Sequence, residues 1–291
     1  MHARAIAATT TALVGTAALL LPLSHARADE DGGRPVVVAH RGASARAPEN
    51  TLAAVDKAAE LGIAWVENDV QRTRDGELVV LHDDSLQRTT DAEEVFPGRA
   101  PWKVRDFTAA EVAHLDAGSW FGPAYAGARV PTLRQYVRRV ELHHQKLLLE
   151  VKNPELYPGI EKQTLKLLSN EGWLDQGHLA DRLIVQSFSA DSVRTVHQLK
   201  PGVKTGFLGT PSVADLPAYA AFVDQINPSY GSVSRGYVSA VHARTGAHDR
   251  PLEVFTWTVN DASTARLVAS YGVDGVISNK PDVVRDALPA A

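Results

Sequence analysis

Residues 65–82 read WVENDVQRTRDGELVVLH, two apolar, β-rich runs with Asp75-Gly76 between them. Asp-Gly is a strong signal for a hairpin turn. The segment between the runs is also too short for the crossover that joins parallel strands. We therefore predict that this stretch is an antiparallel hairpin, which settles how the remaining candidate strands are counted.

On both sides of the hairpin, apolar runs alternate with amphipathic stretches. The other candidate strands are residues 35–40, 146–152, 183–188, 204–208, 222–227, 254–259 and 275–278. Candidate helices cover residues 51–61, 133–142, 160–170, 190–199 and 262–271. Near-continuous apolar strands that alternate with helices are typical of a parallel sheet covered on both faces. With the hairpin as an insertion in the series, the pattern predicts an α/β fold of the (β/α)8 TIM-barrel type.

The N-terminal segment, residues 1–28, has the order of a secretory signal peptide. Arg4 precedes an apolar run at residues 12–23, and Ala26-Arg27-Ala28 forms a small-residue exit. The apolar run is too short for a membrane anchor. We expect cleavage after Ala28, a secreted, extracellular protein with no stable membrane insertion, and a barrel domain over residues 29–291.

Residues 84–131 fit the strand–helix alternation least well. Their aromatic residues include Trp102, Trp120 and Phe121, and they carry a capping-box pattern from Thr108 to Glu111. Structureless loops of this length are uncommon in compact domains and often serve as lids. We expect a small inserted subdomain over the barrel mouth. The sequence leaves open whether it moves as a lid.

Composition narrows the classes of function. The formal net charge is −4 and the chain has no cysteine. A negative chain without a long basic run is a poor nucleic-acid binder, and the lack of cysteine excludes thiolate metal sites and cysteine nucleophiles. A small-molecule substrate is expected. No obligate protein partner is inferred, and the oligomeric state is unreadable.

Three polar residues of the hairpin are predicted to share one face. Residues i and i+2 of a strand point the same way, which pairs Glu67 with Asp69. A turn centred on Asp75-Gly76 would place His82 opposite Asp69 and on the same face. Neighbouring carboxylates repel each other unless a cation lies between them, and their oxygens suit Ca²⁺ or Mg²⁺. Two acids exposed to solvent are the alternative.

Glu150 and Lys152 end a Leu-rich strand and also stand two residues apart. The C-terminal ends of barrel strands form the catalytic mouth. Glu150 could therefore give a third carboxylate and Lys152 a positive charge for an anion. An ordinary surface ion pair is the alternative.

The first strand ends in His40-Arg41-Gly42. A histidine at this position can act as a general acid or base, and an adjacent arginine suits bidentate binding of phosphate. Glu49 could orient Arg41 from behind. Asn50 or Thr51 is predicted to be the N-cap of the helix that follows, and this structural role would suffice for Asn50.

Two aromatic residues are candidates for the pocket wall. Phe188 and Trp257 follow apolar strands, and a tryptophan there could pack against a ligand or hold a cationic group by cation–π attraction. Packing of the barrel interior is the alternative for both.

Together these motifs resemble those of glycerophosphodiester phosphodiesterases. The matching motifs are AHRG at 39–42, PENT at 48–51, residues 67–76, residues 79–83, LEVK at 149–152, QSF at 186–188, WTVN at 257–260 and DGV at 274–276. The resemblance covers about residues 36–285 and implies a phospholipase-C-like barrel with one divalent cation, Ca²⁺ or Mg²⁺. Two positions depart from the family: Asn68 stands where a leucine is frequent, and Asn279 where an aspartate is frequent.

The resemblance also implies roles for the candidate residues. Its metal ligands would be Glu67, Asp69 and Glu150, its catalytic pair His40 and His82, and its phosphate contacts Arg41 and Lys152. The implied reaction is metal-dependent hydrolysis of glycerophosphodiesters to glycerol 3-phosphate and an alcohol, with histidine acid/base catalysis. A phospholipase D- or C-like activity on lysolipids and a catalytically silent metal- or phosphate-binding protein are the alternatives. Head group, choice of cation, and attack through a cyclic phosphate or by water stay open.

Overall fold

The computed structural model describes residues 33–289 and the single residue His2, and it contains a closed parallel barrel. The strands are β1 (Val36–Ala39), β2 (Trp65–Arg72), β3 (Leu78–Val80), β4 (Lys146–Val151), β5 (Leu183–Ser187), β6 (Lys204–Leu208), β7 (Gln225–Asn227), β8 (Glu253–Thr256) and β9 (Gly275–Ser278). In space, β1 pairs with β9, and the series continues through β8, β7, β6, β5 and β4 to β2. β2 pairs with β1 again, and among the described strands β3 pairs only with β2. This closure of eight parallel strands confirms the predicted (β/α)8 fold.

The helices lie between the strands. They are α1 (Leu52–Glu60), α2 (Ala92–Val95), α3 (Ala109–Ala113), α4 (Leu133–Leu142), α5 (Ile160–Asn170), α6 (Gln176–Asp181), α7 (Ala190–Leu199), α8 (Leu216–Ala220), α9 (Arg235–His242), α10 (Ala262–Ser270) and α11 (Pro281–Ala287). The five predicted helices agree with α1, α4, α5, α7 and α10 to within one residue at each end. The helices that the sequence missed, such as α8 with 5 residues, are too short for a clear 3.6-residue period.

The hairpin forms as an antiparallel pair, but the predicted register is wrong by one residue. The prediction placed Asp69 opposite His82. In the structure Val70 pairs with Val80. Asp69 is therefore level with Leu81, whose backbone N–H donates to the Asp69 carbonyl oxygen at 3.0 Å.

The turn explains this shift. The prediction assumed a two-residue turn, whereas Thr73 N–H donates to the Glu77 carbonyl oxygen and leaves a three-residue loop at 74–76. Gly76 closes this loop in the left-handed region, at φ 92°, as three-residue hairpin loops require. Since β3 ends at Val80, His82 lies beyond the ladder, and its direction is set by the following segment instead of by strand alternation.

Residues 84–131 form a segment with α2 and α3 that shares an apolar cluster with the hairpin region. That cluster combines Val79 and Leu81 of the hairpin region with Leu86, Ala92, Val104, Phe107, Val112, Leu115, Ala117 and Val130, and Trp102 packs against it. The capping box predicted at Thr108 and Glu111 is confirmed at the start of α3. Trp120 keeps 42% of its surface exposed.

The predicted signal segment, residues 1–28, lies outside the described residues except for His2. Among the residues that are described, no helix has both the length and the apolar character needed to cross a bilayer.

Candidate active site

The predicted site residues gather at the C-terminal mouth of the barrel. His40, Lys152, Phe188 and Trp257 are each the first residue after a strand, namely β1, β4, β5 and β8. The C-terminal ends of parallel barrel strands open on one face. Eight of the ten predicted residues line one pocket: His40, Arg41, Glu67, His82, Glu150, Lys152, Phe188 and Trp257. The remaining two, Glu49 and Asp69, contact this group from behind.

Three buried carboxylates converge beneath the pocket. One oxygen from each of Glu67, Asp69 and Glu150 lies within 4.8 Å of the other two. Asp69 on β2 is in register with Glu150 on β4, and Glu67 precedes Asp69 by one period of the strand. The convergence therefore follows from strand alternation and from the pairing of two neighbouring strands.

Crowding of these carboxyls changes their protonation. Burial and the carboxylates of Asp69 and Glu150 raise the pKa of Glu67 well above its usual range. Burial and Asp69 raise the pKa of Glu150 to about 8. Without a cation, Glu150 is therefore largely protonated at neutral pH, and Glu67 holds its proton to higher pH than a free glutamate, because two further negative charges beside Asp69 would be unfavourable.

Asp69 is the charged member of the cluster. Burial alone would raise its pKa, but Arg41, His82 and Lys152 outweigh burial and lower the pKa below the usual value. Its Oδ2 accepts a hydrogen bond of 2.8 Å from Asn50 Nδ2. Its Oδ1 is buried and has no hydrogen-bond partner among the described residues. A bare carboxylate oxygen flanked by two further carboxyls fits a hard divalent cation with oxygen ligands.

Arg41 is held in place by its backbone and by its side chain. Its backbone N–H donates to Glu67 Oε2 at 2.8 Å, and its Nη1 donates to Glu49 Oε1 at 2.9 Å. Arg41 has a φ of 58°, a left-handed conformation that non-glycine residues rarely adopt outside functional sites and turns. The structure thus places Glu49 against Arg41, as the sequence predicts.

Lys152 lies on the other side of the carboxylate cluster. Its Nζ is 3.0 Å from Glu150 Oε1 and 3.8 Å from Asp69 Oδ1. These two carboxylates raise the pKa of Lys152 against the opposing effect of burial. Arg41 and Lys152 therefore supply two positive charges at the pocket, which suits an anionic ligand.

Each histidine is oriented through its Nδ1 atom. His40 Nδ1 donates to Asn279 Oδ1 at 2.6 Å, and His82 Nδ1 donates to Asp83 Oδ1 at 2.7 Å. In His40, Nε2 is then left as the basic nitrogen, because Nδ1 carries the proton. Burial, together with Arg41, lowers the pKa of His40 to about 4. His40 is consequently neutral at pH 7 and able to accept a proton.

Several residues of the site were missed or misread in the sequence. The N-cap of α1 is Thr51, whose side chain accepts from Ala54 N–H. Of the two predicted N-cap candidates Thr51 is therefore confirmed, and the structural role given to Asn50 is wrong, because its side chain donates to Asp69 instead. Asp83 was detectable as the neighbour of His82, and Asn279 only as a departure from the family pattern, whereas Arg88 carries no local signal and reaches the site only through folding.

The aromatic candidates meet at the pocket rim. The rings of Phe188 and Trp257 lie 5.5 Å apart and nearly perpendicular, at 84°. Trp257 Nε1 donates to the Asn227 carbonyl oxygen at 2.8 Å, which fixes the indole. Phe188 is 50% exposed, so packing of the barrel interior does not account for it.

Comparison with known proteins gives a consistent result. Residues 40–283 match the glycerophosphoryl diester phosphodiesterase family. The chain is 33% identical over 254 residues to a glycerophosphodiester phosphodiesterase of Caldanaerobacter subterraneus, an alignment that covers 86% of this chain and 96% of the relative. It is 32% identical over 264 residues to a glycerophosphodiester phosphodiesterase of Bacillus subtilis, with 86% of this chain and 85% of the relative covered.

A solved structure shows the same architecture. The chain is similar to a phosphodiesterase of Oleispira antarctica in complex with the product sn-glycerol-3-phosphate, with a TM-score of 0.75 and 30% sequence identity. The superposition covers 87% of this chain and 96% of the Oleispira protein. The family match, residues 40–283, includes every residue that lines the pocket.

Proposed function

Because the chain belongs to the glycerophosphoryl diester phosphodiesterase family and is a phosphoric diester hydrolase, we propose that it releases glycerol 3-phosphate from glycerophosphodiesters with the help of a divalent cation. One observation carries the proposal. Three buried carboxylates, Glu67, Asp69 and Glu150, converge beside the cationic groups of Arg41 and Lys152.

Glu67, Asp69 and Glu150 would hold the cation, Ca²⁺ or Mg²⁺. When bound, the cation would polarise a phosphoryl oxygen and offset negative charge on the phosphate. The bare Oδ1 of Asp69 and the raised pKa values of Glu67 and Glu150 support this assignment, since an added positive charge would favour the ionised form of all three carboxyls.

Arg41 and Lys152 bind and orient the phosphate diester. Both groups line the pocket, and Arg41 presents a planar fork that matches two phosphoryl oxygens. Glu49 holds that fork through the hydrogen bond to Nη1. The positive charges of Arg41 and Lys152 also stabilise the negative charge that builds up on the phosphoryl oxygens during the displacement.

The two histidines divide the proton transfers. His40 is neutral at working pH and removes the proton from the attacking oxygen, while Asn279 holds the ring through Nδ1. His82, oriented by Asp83, acts in its imidazolium form and gives its Nε2 proton to the leaving alcohol. The attacking oxygen belongs either to the neighbouring glycerol hydroxyl or to water, and a cyclic glycerophosphate that accumulates early in the reaction would identify the hydroxyl route.

The residues at 1–28 support a further part of the proposal, export with cleavage after Ala28. Protein recovered outside the cells should begin at Asp29 when its N-terminus is sequenced. An intact N-terminus on cell-associated protein would remove this part of the proposal and leave the enzymatic part unaffected.

The decisive experiment measures glycerol 3-phosphate released from glycerophosphocholine by residues 29–291. We expect release that EDTA abolishes and that Ca²⁺ or Mg²⁺ restores. Release that survives exhaustive chelation would exclude the cation. Turnover of lysophosphatidylcholine in preference to glycerophosphocholine would favour the lysolipid alternative, and cation binding without turnover of either would favour a silent binding protein.

A further inference from the structure

Arg88 lies in the 84–131 segment and contacts two carboxylates behind the pocket. We propose that Arg88 is a positioning residue that couples the phosphate-binding Arg41 to the proton donor His82. The inference rests on the proposed function, because it concerns how that site is assembled. Arg88 is not among the residues that line the pocket, so it acts through other side chains.

The guanidinium of Arg88 uses all three of its nitrogens. Nε donates to Asp83 Oδ2 at 2.6 Å, and Nη2 donates to Asp83 Oδ1 at 2.9 Å. Nη1 donates to Glu49 Oε2 at 2.9 Å, and Nη2 also donates to Glu49 Oε1 at 2.7 Å. One side chain therefore binds both oxygens of two different carboxylates.

In each of those carboxylates, one oxygen accepts a hydrogen bond from Arg88 and a second one from a residue that lines the pocket. Glu49 Oε1 accepts from Arg41 Nη1 at 2.9 Å. Asp83 Oδ1 accepts from His82 Nδ1 at 2.7 Å. The contacts thus form one continuous path, from Arg41 through Glu49 and Arg88 to Asp83 and then His82.

This geometry requires an arginine. A planar fork with five N–H donors can satisfy two carboxylates at once, whereas a lysine ammonium is a point charge that cannot reproduce two bidentate contacts. Glu49 and Asp83 would repel each other without a cation between them. The guanidinium consequently sets the position of both carboxylates, and through them the relative placement of the phosphate clamp and the imidazole.

Reaction rates depend steeply on that placement, since a displacement of about 1 Å at a catalytic group can lower the rate about a hundredfold. We expect Arg88→Ala to lower kcat/KM for glycerophosphocholine about tenfold to a hundredfold. Both components should change: KM rises because Arg41 is loosened, and kcat falls because His82 is loosened. Glu49→Gln should act mainly on KM, and Asp83→Asn mainly on kcat.

The test is a mutant cycle between Glu49 and Asp83, measured with and without Arg88. With Arg88 present, Glu49→Gln and Asp83→Asn break the same bridge, so the double variant should lose less kcat/KM than the product of the single losses, by at least about threefold. In the Arg88→Ala background the two effects should multiply. If Arg88→Ala does not fold, Arg88→Lys replaces it, since lysine cannot hold both carboxylates.

Arg134→Ala is the matched control. Arg134 lies on α4, and its side chain is 46% exposed against 45% for Arg88. It also pairs with a glutamate, Glu171. We expect its kcat/KM to stay at the wild-type value. Coupling between Glu49 and Asp83 that persists without Arg88, or an Arg88→Ala variant with wild-type kcat and KM, would overturn the inference. A wild-type protein without turnover would instead overturn the proposed function.

Discussion

His40 Nδ1 lies 2.6 Å from the side-chain oxygen of Asn279, a residue 239 positions away in the chain. The contact joins the end of β1 to the residue that follows β9. An amide oxygen accepts the Nδ1 proton without adding a negative charge. Since the resemblance leads one to expect an aspartate at position 279, this neutral partner keeps His40 a weaker base than a carboxylate would.

Replacement of Asn279 by aspartate should therefore shift the pH dependence of the reaction. A carboxylate against Nδ1 stabilises the imidazolium, so the pKa of His40 should rise from about 4 by about one to two units. The acidic limb of kcat/KM reports the base of the free enzyme, and it should move to higher pH. Activity at pH 5 then falls, while activity at pH 8 is retained.

Asn279→Ala is the control for that experiment. It removes the acceptor without adding charge, so it should lower kcat without moving the acidic limb upward. An unchanged pH profile in Asn279→Asp would show that His40 is not the base.

Cation binding should strengthen as the pH rises. In the cation-free protein the pKa of Glu67 is raised well above its usual range and that of Glu150 is raised to about 8, so both must lose protons when a cation binds. Calorimetric titration with Ca²⁺ or Mg²⁺ between pH 6 and pH 9 should show increasing affinity and release of protons into the buffer.

Glu150→Gln should abolish most of this affinity, because it removes one of three anionic ligands. Glu60→Gln, at an exposed residue of α1, should bind the cation as the wild type does. Affinity that is constant across the pH range would contradict the placement of the cation among these carboxyls.

Asn68 should limit stability. It is fully buried, and neither its side-chain nitrogen nor its oxygen has a hydrogen-bond partner among the described residues. Because an unsatisfied buried polar group costs about 1–3 kcal/mol, we expect Asn68→Leu to raise the free energy of unfolding by about 1–2 kcal/mol. Thermal unfolding should show a higher Tm with kcat/KM unchanged. A lower Tm would mean that the amide is satisfied by water.

Gly42 should tolerate no side chain. It has a φ of 75°, and an added Cβ would lie 2.6–2.8 Å from the Cβ, carbonyl carbon and carbonyl oxygen of Ala54. We expect Gly42→Ala to lower the free energy of unfolding by about 3 kcal/mol or more. It should also reduce activity, because Arg41 is displaced.

Gly76→Ala separates conformational strain from the steric clash. Gly76 also has a positive φ, 92°, but nothing lies within 4 Å of its added Cβ. Its loss of stability should be only about 1 kcal/mol. Equal losses at the two positions would show that contact with Ala54 is unimportant.

The sequence by itself determined the barrel and the carboxylate cluster. The alternation of apolar strands with amphipathic helices is a local pattern, and so is the two-residue period that turns Glu67 and Asp69 to one face. Glu150 joins them because β4 pairs with β2 in the barrel. Short helices such as α8 escaped detection since a few residues cannot display a helical period.

Only the tertiary structure decided how the site is held. The turn at 74–76 shifted the hairpin register by one residue, and Asn50, Arg88 and Asn279 support the pocket through side-chain hydrogen bonds to residues far along the chain or on separate segments. Such contacts depend on where closure of the barrel brings separate loops. Local propensity specifies how a segment folds, but the geometry between segments exists only after the whole core has packed.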